Sequence, residues 1–157
     1  MHTRTGRVLT AKGVKPVCQY QHQFENTYLY GAFSPINGDS FLLELPYCEA
    51  ECFQLYLNEF SKHNPSELKV VILDNGTFHK AKKLIIPKNI ILMFLPSYCP
   101  ELNPAEKMWQ QIKAEFVCKS FKNINHLSTY LARVVKIIVN EKTVKSICSY
   151  EYLIIDY

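Results

Sequence analysis

The chain has 157 residues, enough for one domain that buries a core without disulfides or a structural metal. Its 48% apolar and 13% aromatic content excludes a disordered chain. No apolar run is long and uncharged enough to cross a bilayer, since the longest, residues 84–95, is broken by Pro87 and Lys88. The net charge of +4 is unevenly spread. Residues 1–16 hold Arg4, Arg7, Lys12 and Lys15 and no acid, whereas residues 17–68 hold seven acids and one base. Residues 107–145 hold eight bases against Glu115 and Glu141, a distribution that suits either a phosphate backbone or ordinary solvated helix faces. The N-terminal residues lead into no apolar segment, so no signal peptide is expected. Cys18, Cys48, Cys52, Cys99, Cys118 and Cys148 are scattered and are expected as free thiols in a reducing compartment. Cys48 and Cys52 lie four apart, but no second Cys or His pair completes a zinc site.

Gly6, Gly13 and Pro16 make residues 1–16 irregular. Residues 27–33 predict a strand, with Tyr28, Leu29, Tyr30 and Phe33 as β-formers. Asn37-Gly38 marks a hairpin turn, and residues 41–45 form the return strand, ended by Pro46. A helix follows over residues 49–63, where Phe53, Tyr56, Leu57 and Phe60 share one face. Asn64-Pro65 stops it. Residues 69–73 are a short, almost wholly apolar strand of the kind covered on both faces. A short helix is expected over residues 78–84 and a second buried strand over residues 90–95. One helix then starts at Asn103 and runs to about Cys118. Another covers residues 124–140, with Leu127, Tyr130, Leu131, Val134, Val135 and Ile138 inward. The remaining tail shows no decisive pattern. This order gives a single α/β domain over residues 1–157, a mixed sheet with flanking helices, without repeats or linkers.

Two acids stand at chemically useful places. Asp74 follows the apolar strand directly, and ligands of open α/β sheets bind at the carboxyl ends of strands. Asp74-Asn75-Gly76 is also a hairpin signal, but the polar, helix-prone residues 79–83 are no return strand. Glu106 follows Pro96, Pro100 and Pro104, which stiffen the segment leading to it. Asn103 suits an N-cap, Pro104 the first helical position and Glu106 the third, so Glu106 has the plain alternative of a capping-box glutamate. Two carboxylates brought side by side repel unless a cation lies between them.

The stretch Val71-Ile72-Leu73-Asp74-Asn75-Gly76-Thr77-Phe78-His79-Lys80 and the stretch over residues 94–113, with Leu95-Pro96-Ser97-Tyr98-Cys99-Pro100-Glu101-Leu102-Asn103-Pro104-Ala105-Glu106 at its heart, resemble a known pattern. Together with Tyr30-Gly31-Ala32-Phe33-Ser34-Pro35, Asn37-Gly38 and Gly13-Val14-Lys15-Pro16, they look like the DDE transposase domain of mariner-like elements and their bacterial insertion-sequence relatives. The resemblance covers roughly residues 4–113. It implies a ribonuclease H-like fold and metal-dependent DNA strand cleavage and transfer. Asp74 matches the second of the family's three acids and Glu106 the third. Asn75, His79, Asn103 and Pro104 match positions flanking the site; for His79 a polar surface role stays open. The acids would hold two Mg²⁺ or Mn²⁺ ions about 3.5–4 Å apart. Lys107, Lys113, Lys119 and Lys122 are the expected DNA contacts, and Trp109 is read as core.

In the family the first acid lies on a strand upstream of the segment that here begins near Arg4. Asp39 lies in the hairpin turn and Glu25 in a connection, so neither replaces it. The family's helix-turn-helix region has no counterpart either. The expectation is therefore an N-terminally truncated domain, inactive alone, with a non-catalytic nucleic-acid-binding remnant as the alternative. Its partners would be DNA (transposon ends and target), with an upstream transposase segment or a second copy of the chain, and no membrane. In a bacterium its place would be the cytoplasm, at the nucleoid. Lacking a central strand, the flanking strands would expose unpaired edges and residues 70–73 would be half uncovered. Either residues 17–24 substitute for it, or an upstream segment completes the sheet by strand addition.

Overall fold

The computed structural model describes residues 26–74, 84–97 and 99–150, with Lys12 and Leu153 besides. Expectations for residues 13–16 and 17–24, for Asn75 and His79, and for most of the helix over 78–84 lie outside the described residues. The elements in order are β1 (Tyr28–Phe33), β2 (Ser40–Leu45), α1 (Ala50–Lys62), β3 (Lys69–Leu73), β4 (Ile90–Phe94), α2 (Ala105–Ala114), α3 (Ile124–Ile138) and α4 (Glu141–Cys148). This is the mixed α/β architecture expected of the ribonuclease H-like class, with helices over small sheets.

β1 and β2 form the predicted hairpin, paired antiparallel from Tyr28↔Leu45 to Phe33↔Ser40. Its turn is closed by the Ser34 N–H donating to Asp39 O at 2.8 Å and the Gly38 N–H donating to Ser34 O at 3.1 Å. Gly38 has φ +76, and a Cβ there would collide with Glu141, so both backbone and space require glycine. Strand alternation divides the hairpin residues between two cores. Tyr30, Ala32, Phe41, Leu43 and Leu45 pack with Phe53, Tyr56, Leu57 and Phe60 of α1. Leu29 and Phe33 face the other way, toward α2, α3 and α4. Phe41 lies 5.3 Å from Phe60 and 5.6 Å from Tyr56 between ring centroids. Burial raises the Tyr30 and Tyr56 phenols well above their usual range.

β3 and β4 are parallel, in register from Lys69↔Ile90 to Leu73↔Phe94. Val71, Leu73, Ile90 and Leu92 pack toward α1. On the other side Val70, Ile91 and Met93 are 54%, 46% and 52% exposed. The strand expected to be covered on both faces is thus covered on one among the described residues. A parallel pair is joined by a long connection and takes its second cover from other elements, so its apolar sequence states a need rather than a contact. Described strands form two separate two-stranded sheets, β1–β2 and β3–β4, where a single mixed sheet was expected.

The helices follow their apolar stripes. Met108 of α2 packs with Val144 and Cys148 of α4, and Ile112 packs with Leu131 and Val134 of α3. Asn123 caps α3 by accepting from the His126 N–H at 2.8 Å, and Asn140 caps α4 by accepting from the Thr143 N–H at 3.0 Å. α4 resolves the indecisive tail. Cys48, Cys52, Cys99 and Cys148 are free, but Cys118 is disulfide-bonded, against the expectation of free thiols throughout. Spacing along the chain says nothing about which distant cysteines a fold brings together.

Candidate functional site

The carboxyl end of β3 delivers Asp74. The Leu95 N–H donates to Leu73 O at 2.8 Å, holding the two strand ends in register one residue before the acid. Asp74 is exposed beyond that bond.

Glu106 arrives by the proline-stiffened segment. A 3-10 turn, Pro100–Leu102, is closed by the Leu102 N–H on Cys99 O at 3.1 Å. Asn103 then accepts twice: its Oδ1 from the Ala105 N–H at 3.1 Å, and its carbonyl from the Glu106 N–H at 3.0 Å. Pro104 is buried with φ −63, a helical value its ring enforces. The helix begins at Ala105, one residue later than expected. Pro104 thus takes the cap place, and Asn103 acts from one step further out. Glu106 is half-buried, and its carboxylate has no hydrogen bond or ion pair among the described residues. A capping box needs that carboxylate turned back onto the chain, so the plain alternative for Glu106 is not realised.

Asp74 and Glu106 line one cavity of about 1390 Å³. Its lining includes residues of β1 and β3, Phe53, Tyr56 and Phe60 of α1, and Asn103 and Pro104. From α2 the cavity receives Ala105, Glu106, Trp109, Ile112 and Lys113. Their spacing is one continuous helix face. Trp109, read as core, is partly buried, packs against the Ile112, Leu131 and Val134 cluster, and also lines the cavity on this face.

The four lysines separate. Lys113 and Lys119 line the cavity, whereas Lys107 and Lys122 do not. Lys107 Nζ lies 4.7 Å from the Tyr150 ring centroid, a cation–π contact outside the cavity. Lys119 Nζ lies 4.6 Å from the Tyr130 ring centroid and donates to the Tyr130 hydroxyl. Arg133 stands 5.8 Å from the same ring, a cation that sequence reading did not single out. Only its place on α3 near Tyr130, one turn on, could have suggested it.

No group of three or more His, Cys, Asp or Glu that could hold a metal occurs among the described residues. Two carboxylates on one cavity are nevertheless a hard-oxygen donor set, the chemistry that Mg²⁺ and Mn²⁺ prefer. The lysines on the same cavity could meet a phosphate backbone.

Residues 1–128 match the family model described as DDE superfamily endonuclease. The chain is also 38% identical over 105 residues to an uncharacterized protein, y4pE/y4sA, of Sinorhizobium fredii (strain NBRC 101917 / NGR234). That match spans 66% of this chain and 78% of the relative. No solved structure matches.

Proposed function

We propose, for a chain that belongs to the DDE superfamily endonuclease family, a role as the catalytic segment of a transposase that cleaves and transfers DNA strands. One observation carries this reading: Asp74 and Glu106, delivered by separate elements, line one cavity, and the Glu106 carboxylate has no partner among the described residues.

In this reading Asp74 and Glu106 hold divalent metal, Mg²⁺ or Mn²⁺. Metal held there would supply Lewis-acid activation of an attacking water or 3′-hydroxyl and stabilisation of the leaving oxygen. Asn103 and Pro104 fix the start of α2 and with it the Glu106 backbone. Lys113 and Lys119 draw the phosphate backbone toward the cavity, and Lys107 and Lys122 extend that contact outside it. DNA, as transposon end or target, is the substrate. Two carboxylates are too few for two ions, so an upstream segment supplies the third acid and the chain alone cuts nothing.

The test is a strand-cleavage assay in Mg²⁺ and Mn²⁺, on the chain alone and joined to an upstream acid-bearing strand. The expected result is no cleavage alone and cleavage after joining that Glu106→Gln abolishes. Cleavage that survives Glu106→Gln sinks the assignment. Salt-sensitive DNA binding with no cleavage in either form favours the non-catalytic binding remnant instead.

A further inference from the structure

Gly31 sits in the middle of β1 without a positive φ, so its backbone conformation does not call for glycine. Its surroundings do. A Cβ at Gly31 would stand 2.7 Å from Cη2 of Trp109 and 3.3 Å from Cζ2 of the same ring. No side chain other than hydrogen fits beneath that indole without moving it. Phe33, two residues along the same strand face, meets the indole edge-on with centroids 5.2 Å apart. Trp109 is therefore seated directly on the β1 backbone, with Phe33 as a stop.

That seat bears on Glu106. Trp109 follows Glu106 by one helical turn on the face of α2 that lines the cavity. On an adjoining face of α2, Met108 is fully buried against Val144 and Cys148, in a cluster that Phe33 of β1 also joins. The helix is thus held on two adjoining faces, and its height above β1 depends on how closely the indole approaches Gly31. We infer that Gly31 and Trp109 are positioning residues: their close contact holds Glu106 where its carboxylate faces the cavity shared with Asp74. This deepens the proposed function and rests on it. A purely structural contact would affect stability alone, whereas a positioning contact also affects what the two carboxylates hold.

The test uses the full chain and Mn²⁺, with the free ion measured by electron paramagnetic resonance and thermal stability measured in parallel. The unaltered chain binds Mn²⁺ and Glu106→Gln loses that binding. Gly31→Ala weakens Mn²⁺ binding about tenfold, the scale seen when residues supporting metal ligands are altered. Trp109→Phe lacks the outer indole atoms that a Cβ at position 31 would meet, so Gly31→Ala combined with Trp109→Phe regains most of the lost affinity. The double variant also serves should Gly31→Ala fail to fold, since it removes the 2.7 Å collision with the indole and leaves only the 3.3 Å approach to Leu42 Cγ, a flexible side chain; it must then bind as Trp109→Phe does. Unchanged Mn²⁺ affinity in Gly31→Ala, even at reduced thermal stability, overturns the inference. So does a double variant that binds more weakly than Trp109→Phe by the full Gly31→Ala deficit. Mn²⁺ binding by the unaltered chain that is indifferent to Glu106→Gln overturns the functional reading itself, and is told apart by that first pair of measurements.

Discussion

The hairpin β1–β2 and the parallel pair β3–β4 are both two-stranded, yet they are held in opposite ways. The hairpin closes on itself through a short turn, and each of its faces meets a core: α1 on one side, α2, α3 and α4 on the other. Its rim is tied down by polar bonds as well, with Thr27 and Ser128 both donating to Glu44 Oε1, at 2.7 and 2.5 Å. The pair β3–β4 has one face against α1 and leaves Val70, Ile91 and Met93 about half exposed. An antiparallel hairpin completes itself locally, while a parallel pair depends on what the rest of the chain brings to it. The two acids are divided along this line. Asp74 hangs from the less covered pair, and Glu106 stands on a helix seated against the better covered hairpin.

The sharpest way to break this comparison is to truncate a side chain in each region. Phe53→Ala, at 2% exposure in the hairpin core, is expected to cost about 3–5 kcal/mol in urea denaturation. Val70→Ala, on the uncovered face of β3, is expected to cost less than about 1 kcal/mol. A Val70→Ala cost close to that of Phe53→Ala would mean that the outer face of β3–β4 is covered after all.

A smaller effect sharpens the hairpin side. Asn140→Ala removes the cap of α4 and is expected to cost about 1 kcal/mol, read from the urea midpoint. Because Gly38 packs against Glu141, hydrogen exchange in the hairpin turn should accelerate with it, while β3–β4 amides stay as they were. Exchange that quickens equally in both sheets would show them to be one cooperative unit.

The smallest effect is one of pH. Cys148 is 1% exposed in the core shared with Met108, and burial pushes its thiol up to about 11. The folded thiol stays neutral past the pH at which it ionises in the unfolded chain. Its share of stability is therefore complete below about pH 9 and declines between pH 9 and 11. Thermal melts across that range should flatten in Cys148→Ala. Iodoacetamide at pH 8 should label exposed Cys48 well before Cys148.

Legibility followed the range of the interaction. Asn37-Gly38 announced the hairpin turn, and Phe53, Tyr56, Leu57 and Phe60 announced the inner face of α1, because each pattern lies within a few residues. α4 was missed: eight residues with Val144 and Cys148 as its buried pair give too short a stripe to stand out. The places of Asp74 and Glu106, after β3 and at the start of α2, were legible from a strand end and a proline-stiffened helix start. The cavity joining them was not, and neither was the seat of Trp109 on Gly31. Periodicity gives the face a side chain takes, never the backbone it meets across the fold. The disulfide at Cys118 escaped for the same reason.

The hairpin is the most local element of the fold, yet it is finished by the most distant. Ser128 reaches Glu44 across 84 residues, and the Ser149 hydroxyl donates to Pro35 O across 114. During synthesis, β1 and β2 can pair as soon as they leave the ribosome, since hairpins form in about 1–10 μs. Leu29, Gly31 and Phe33 then wait, uncovered, until α2, α3 and α4 have been translated. At about 5–20 residues per second, that wait lasts several seconds. For this interval the nascent chain carries an apolar strand face in search of a cover, which makes it a substrate for chaperones. It also makes premature termination before α4 more damaging than the loss of the last 17 residues would otherwise be.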